Sequence, residues 1–543
     1  MATQISLTAV LCMLGMANSL SQAQQAEHAI PSIVHKDGRY ALLVDGSPFF
    51  MLGVQANNSS AWPATLPKAW AAVDYVHANT LEIPIYWEQF EPKHGQFDYS
   101  LIDAIIGQAR SHGVRLVLLW FGTWKNGSQH YMPEWMKRDP ERYFHVVDKN
   151  GRPVDSPSPF AAASLEADER AFTAFMRHLK ATDPQRTVLM VQVENESGTW
   201  GTLRDYSPAA QKLFEARVPA EIMKAMDKPV GADSGNWQDV FGPEAEVCFH
   251  AWSVARYVGK VAAAGKAVYP LPLYANAALR DPLKPGAPGS YESGGPTDNV
   301  LPIWKAAAPA IDILAPDIYM SSSAEYLKVL DLYHRNDNPL FIPETIGSQR
   351  VARFLFSALG RQALGFSPFG LDYTRTGFPQ MNRVGPNGRQ PGDPNEFLIP
   401  TAENYQILGP MMRDVARLNF EGKLQAIAEE SGTTSETLHF GSWDAIVSYG
   451  AVRNGPAKGN AEPIGRALVA QLEANTFLVA GMDCRVDFRP TDPNKRRQFL
   501  RVGEGIYEHG AFKFQRILNG DQTDWGINLR AEPIALQVTV DTY

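Results

Sequence analysis

Three acidic residues stand where chemistry would be placed. The stretch Thr187-Val-Leu-Met-Val-Gln-Val-Glu-Asn-Glu196 is mostly apolar or β-branched, then breaks into Glu194, Asn195 and Glu196. A second stretch, Pro339-Leu-Phe-Ile-Pro-Glu344, has the same form. Hydrolysis of a glycosidic bond needs two carboxyl groups around one anomeric carbon. One gives a proton to the leaving oxygen; the other attacks, or activates water. We read Glu196 as the acid/base and Glu344 as the nucleophile, with environments that push their pKa values apart. Tyr319 ends the strand between them, placed either to hydrogen-bond Glu344 or to pack as a core tyrosine. Asn195 is placed to hold the sugar 2-hydroxyl, a contact that strengthens in the transition state, or simply to turn the loop. Strict alternation puts Glu194 and Glu196 on one face and Asn195 on the other. If Asn195 and Glu196 both line a site, the strand must twist or bulge at its end.

The elements that position these groups repeat along the chain. A near-continuous apolar strand fits a parallel sheet covered on both faces. In a β/α barrel, the active site lies at the C-terminal ends of the strands. Eight strand-then-helix units are legible. Their strands are expected at Phe49–Gln55, Asn79–Trp87, Val114–Phe121, Thr187–Glu196, Tyr269–Asn276, Ile311–Tyr319, Pro339–Glu344 and Ala363–Gly370. Pro84 inside the second suggests a bulge, and Pro270 and Pro272 weaken the fifth. His28–Lys36 reads as an unstructured lead. Beyond Asn419 long helices give way to short alternating segments between Gly, Asp and Pro turns, the pattern of a β-sandwich. The fold class is therefore α/β: a (β/α)8 TIM barrel over residues 36–418, followed by a smaller all-β sandwich over 419–543.

Composition narrows the partners. The chain has 543 residues and a net charge of −8, without the basic stripe expected of a nucleic-acid binder. Twelve Trp, 19 Tyr and 26 Phe supply flat faces that suit sugar rings as well as cores. The apolar run Ile5–Ala17 is too short to span a bilayer. With Ser21-Gln-Ala23 after it, residues 1–23 read as a cleavable secretory signal and predict a secreted or periplasmic protein off the membrane. Leu11 before Cys12 argues against a lipid-anchored form. Cys248 and Cys484 would then remain, enough for at most one bridge. Neither HExxH nor paired-cysteine spacing occurs, so no metal or other cofactor is expected. His250, beside Phe249 and Trp252, reads as a satisfied core histidine.

The residues also resemble a known family. Val-Gln-Val-Glu194-Asn195-Glu196 with Gly198 is similar to the acid/base motif of the family 35 glycoside hydrolases, mostly β-galactosidases. Asn79-Thr80 with Trp87, Glu91-Pro92, Gly95 and Phe97-Asp98 resembles the second-strand motif of that family and its clan. Pro343-Glu344 falls where the nucleophile strand should. The resemblance covers about residues 40–418. It implies a retaining exo-β-galactosidase acting through a covalent galactosyl-enzyme on oligosaccharides with terminal galactose. The whole chain most resembles a bacterial subgroup with its own C-terminal β-domain, which includes enzymes active on xyloglucan side chains. Pro84 stands where many members carry a sugar-binding Tyr, and Ile346 where animal members carry a Tyr. Tyr86, Trp124, Asn276 and Tyr373 are placed either to replace those sugar contacts or to pack. Two alternatives stay open: another retaining glycosidase of the clan, such as a β-glucanase or β-mannanase, and a non-catalytic glycan-binding protein. The sequence leaves the oligomeric state open.

Overall fold

A computed structural model describes residues 28–231, 235–372, 398–450, 455–508, 510–530 and 534–543. The signal reading over residues 1–23, including Cys12, lies outside the described residues, and so does Tyr373.

Eight parallel strands close into a barrel in sequence order. They are β1 (Met51–Gln55), β2 (Thr80–Tyr86), β3 (Arg115–Lys125), β4 (Val188–Asn195), β5 (Leu273–Ala278), β6 (Ile313–Ile318), β7 (Ile342–Ile346) and β8 (Gly365–Phe369). β2 and β4 are buried along their whole length. The interior they face is packed with side chains on one side and covered by helices on the other, as a parallel barrel requires. Gly53 on β1 meets β8 so closely that a Cβ would lie 2.0 Å from Ser367 Oγ.

Three local expectations are corrected. Pro84 makes no bulge: β2 runs in unbroken register with β3, Pro84 opposite Leu119. Its pairing with β1 stops at Glu82. Pro84 therefore lies beyond the end of that ladder, where a missing N–H removes no bond to β1. The fifth strand starts at Leu273, after both prolines, for the same reason. The lead is not unstructured, because Ser32–Lys36 pairs antiparallel with Arg39–Val44, which pairs with Ser47–Phe49.

The C-terminal region forms two antiparallel sheets. Its strands are β9 (Leu424–Ala428), β10 (Ser435–Phe440), β11 (Trp443–Tyr449), β12 (Arg466–Glu473), β13 (Thr476–Met482), β14 (Cys484–Pro490), β15 (Arg497–Glu508), β16 (Ala511–Ile517), β17 (Ile527–Leu529) and β18 (Ile534–Thr542). One sheet has the order β9-β12-β13-β18-β15-β16, the other β10-β11-β14-β17. Alternation on β12 and β13 does two jobs. Ala467, Val469, Phe477 and Val479 pack into the sandwich, among Phe440, Trp443 and Phe488. Leu468, Ala470, Leu478, Ala480 and Met482 join the barrel's own apolar core. β12 and β13 are thus buried on both faces and fix the larger sheet to the barrel, while β16 at its far edge is exposed. Cys248 and Cys484 are separate buried thiols.

Candidate active site

Glu196 follows the last residue of β4, and Glu344 lies within β7. The turn between Glu194 and Glu196 resolves the alternation problem. Both residues have positive φ, +64° and +43°, and β3 shifts register against β4 between Trp120 and Lys125. Positive φ is uncommon away from glycine and costs of order 1 kcal/mol or more per residue. Here the neighbours hold it. Glu194 turns back into the barrel wall, where its Oε2 accepts from the Trp124 N–H at 2.7 Å. Asp168, on the helix Ala162–Thr182, accepts from Trp120 Nε1 at 3.0 Å and Thr123 Oγ1 at 2.7 Å. Burial raises the pKa of both carboxyls, and each shapes the other's ionisation through a hydrogen bond. Two buried acids at contact cannot both ionise, so the pair holds a proton. Gly122 leaves room for it, because a Cβ there would meet Trp120 Nε1 at 2.4 Å and Glu194 Oε1 at 2.7 Å.

Glu196 is thereby released toward the mouth. Its N–H donates to Asn276 Oδ1 at 2.9 Å, and its carbonyl accepts from the Gly127 N–H at 3.0 Å. Burial pushes its carboxyl up to about 7; the Glu344 charge adds to this, while Lys125 and a hydrogen bond with Asp317 pull against it. Glu344 is buried and pairs in register with Asp317 of β6. Its Oε1 accepts a short hydrogen bond from Tyr319 OH. Burial, then the Glu344 charge, hold that phenol protonated. The arrangement is one carboxyl raised to about 7, which keeps its proton below that pH, and another supplied with a phenolic donor.

The remaining expected contacts divide. Asn195 is buried, and neither end of its amide has a protein partner. Asn276 does not offer itself to a sugar as expected. Its Oδ1 takes the Glu196 N–H, and its Nδ2 donates to Asp317 Oδ2 at 2.6 Å, so it positions the acids. Tyr86 is a packing residue: its hydroxyl accepts from the Ala61 N–H at 3.0 Å, and its ring is stacked on Trp62 and Tyr131. Trp124 is fully buried and edge-on to Tyr257, and its indole Nε1, like the Asn195 amide, has no protein partner. His250 is a core residue bonded to Thr199 Oγ1 at 3.0 Å; burial pulls it down to about 3, so it stays neutral.

Sequence reasoning missed four charged groups. Glu82 on β2 lies in the barrel interior, where it accepts from Tyr274 OH at 3.1 Å. Asp317 adjoins both glutamates, and burial raises the pKa of both Glu82 and Asp317 well above the carboxylate range. Lys125 ends β3 and donates to Asn126 Oδ1. Glu292 reaches in from the β5–β6 connection. A lone acid inside an apolar strand was a usable signal for Glu82 and Asp317. Glu292 sits in a Gly/Pro-rich loop with none.

Buried polar atoms without protein partners gather here: on Gln55, Glu82, Gln192, Asn195, Asp317 and Glu344. They come from β1, β2, β4, β6 and β7. Each such atom costs roughly 1–3 kcal/mol when nothing bonds it. Together they rival the 5–15 kcal/mol net stability of an ordinary domain. A concentration of that size fits a site whose ligand is dense in hydroxyl groups.

Residues 60–260 match the model of the Glyco_hydro_42 family, described as Beta-galactosidase. That segment contains β2, β3, β4 and Glu196. Over that segment the chain is similar to a family of glycoside hydrolases. The family 35 resemblance is corrected to this extent: the model that matches is that of family 42. Residues 401–530 match a domain of unknown function, DUF5597. None of the curated proteins matches this chain. Among solved structures, it is similar to the cold-adapted β-galactosidase from Rahnella sp. R3, with 16% identity over 68% of this chain and 58% of that one, at a TM-score of 0.47. For the β-galactosidase of the psychrophilic Marinomonas ef1 the values are 13%, 67%, 61% and 0.48. The catalytic domain of a β-amylase from Paenibacillus polymyxa gives 12%, 65%, 97% and 0.44. The chain thus spans about three-fifths of the length of those two β-galactosidases.

Proposed function

We propose that the protein is a glycoside hydrolase, a retaining exo-β-galactosidase that removes terminal β-D-galactosyl residues from oligosaccharides. The observation that carries this reading is the Glu196–Glu344 pair: Glu196 just past the end of β4, its carboxyl pushed up to about 7 by burial with the Glu344 charge adding to it, and Glu344 on β7, bonded by the Tyr319 phenol. In the first step a Glu344 carboxylate oxygen attacks the anomeric carbon. The bond to the glycosidic oxygen breaks, and Glu196 gives its proton to that oxygen. In the second step Glu196 takes a proton from water as the water oxygen attacks the same carbon, freeing Glu344. Galactose as the sugar is supported by the family whose model matches. Xyloglucan side chains are one proposed source, tested by galactose release from a panel of plant oligosaccharides. Action outside the cytoplasm follows from reading residues 1–23 as a signal, and N-terminal sequencing of the mature protein tests it.

Chromogenic β-galactoside, β-glucoside and β-mannoside assayed side by side separate this reading from a glucanase or mannanase; absence of galactoside turnover removes it. NMR of the first-formed sugar should show the β-anomer.

Two further outcomes are expected. The acid must carry its proton to work, so kcat/KM should fall as pH rises through about 7, the value to which burial pushes Glu196. A pH–rate profile whose alkaline limb lies near the ordinary carboxylate range would contradict the assignment. Tyr319→Phe removes a hydrogen bond to Glu344. A bond to a charged group is worth about 1.5–3 kcal/mol, so kcat on an aryl β-galactoside should drop roughly 10–100-fold. An unchanged kcat would leave Tyr319 a packing residue.

A further inference from the structure

We propose that Trp200 and Glu292 form the subsite for the sugar that leaves, Trp200 as an aromatic platform and Glu292 as a hydrogen-bonding carboxyl. The assignment rests on the galactosidase reading above and extends it to the other side of the scissile bond.

Trp200 is 53% exposed and lies four positions after Glu196, on the same loop. Leaving so large an apolar surface in water is unfavourable, by roughly 25 cal/mol per Å². Glu292 has the opposite anomaly. It is 3% exposed, and its Oε1 has no partner in the protein. One bare α-carbon brings the two together. A Cβ at Gly127 would meet Glu292 Oε1 at 2.5 Å and Trp200 Cδ1 at 3.3 Å. Gly127 has φ +70°, and its N–H is the donor to the Glu196 carbonyl. Gly198, from the Glu196 loop itself, clears the rest of the Glu292 side chain: a Cβ there would lie 2.8 Å from Glu292 Cγ.

The pairing is built rigidly. Thr199 and Ser293 exchange backbone hydrogen bonds of 2.8 and 3.1 Å, tying the Trp200 loop to the Glu292 loop. Thr199 Oγ1 is also bonded to His250 Nε2 and to Ser156 Oγ, each at 3.0 Å. Trp304 Nε1 fixes the Gly294 carbonyl at 3.0 Å. Platform, carboxyl and Glu196 thus belong to one clamped unit.

The chemistry fixes which sugar is bound there. Glu196 protonates the glycosidic oxygen, so the departing sugar lies on the Glu196 side of the mouth. A pyranose presents an apolar C–H face, which an exposed indole covers, and an edge of hydroxyls, which a carboxyl binds in pairs. Glu292 also interacts electrostatically with Glu196 and Lys125.

The test compares lactose with β-galactosyl fluoride, which carries no leaving sugar. Trp200→Ala should lower kcat/KM on lactose about tenfold or more, chiefly through KM, the size of one lost aromatic contact. On the fluoride it should stay within about twofold. Glu292→Gln keeps the shape and should show the same substrate split with a smaller loss. Equal losses on both substrates would mean that the residues only support the fold, and undiminished lactose turnover would mean that they bind nothing; either overturns the assignment. Turnover of the fluoride but not of lactose by the unaltered enzyme also counts against it. If the unaltered enzyme leaves the fluoride intact, the galactosidase reading falls and the subsite falls with it.

Discussion

Replacing Glu344 by Gln is expected to lower kcat by on the order of 10⁴-fold or more, with the protein still folded and still binding galactose. Gln fills the same volume at a position that β7 buries. Its amide oxygen can still accept from Tyr319, so the hydrogen bond to that phenol survives. What is lost is a carboxylate able to bond the anomeric carbon. Asp317 next to it is no substitute, since burial and the two glutamates keep its proton on. The measurement is kcat on an aryl β-galactoside, beside galactose binding by calorimetry. Near-normal turnover would remove Glu344 from the chemistry. Binding by both forms with only background activity in either would favour a glycan-binding protein.

Glu196→Gln should be nearly as damaging, but selectively. General-acid assistance is worth about 10²–10⁴-fold, and only where the leaving group needs a proton. Lactose, whose leaving alkoxide is strongly basic, should lose the full amount in the glycosylation step. A dinitrophenyl galactoside should lose little in that step and accumulate the galactosyl-enzyme, because deglycosylation still needs the base. The alkaline limb that burial of Glu196 sets near pH 7 should vanish from kcat/KM on the activated substrate. Equal losses on both substrates, with the limb unmoved, would assign the acid role to a different group.

The barrel was legible because each strand is an apolar run that gives way to polar residues; Glu196 follows the end of β4, while β7 runs two residues past Glu344. The two departures at prolines share one cause: where a ladder begins or ends depends on the neighbouring strand, and Pro84 and Pro272 sit at those limits. The sandwich was legible from alternation, but its attachment was not. Leu468 and Leu478 read like any strand residue until the helices they cover are known.

The site was only partly legible. Tyr86 follows an apolar run, as sugar-binding aromatics do, yet aromatic packing and the Ala61 N–H claim both its ring and its hydroxyl, whereas the Trp124 indole N–H has no protein partner. Asn276 has the right chemistry, but its amide is spent on Glu196 and Asp317. Glu194 looked equivalent to Glu196 from spacing alone. Two positive-φ residues separate their fates, and φ is set by Asp168, Trp124 and Gly122, which are distant in sequence. Glu292 enters from a loop whose course depends on the Thr199–Ser293 pairing. Strand ends announce themselves in a sequence; loops folded over them do not.

The most direct test is to trap the covalent intermediate. Incubation with a 2-deoxy-2-fluoro-β-galactosyl fluoride should inactivate the enzyme and leave one fluorogalactosyl group per chain. Peptide mapping by mass spectrometry should place it on Glu344. A label on any other residue, or turnover without a label, would contradict the assignment.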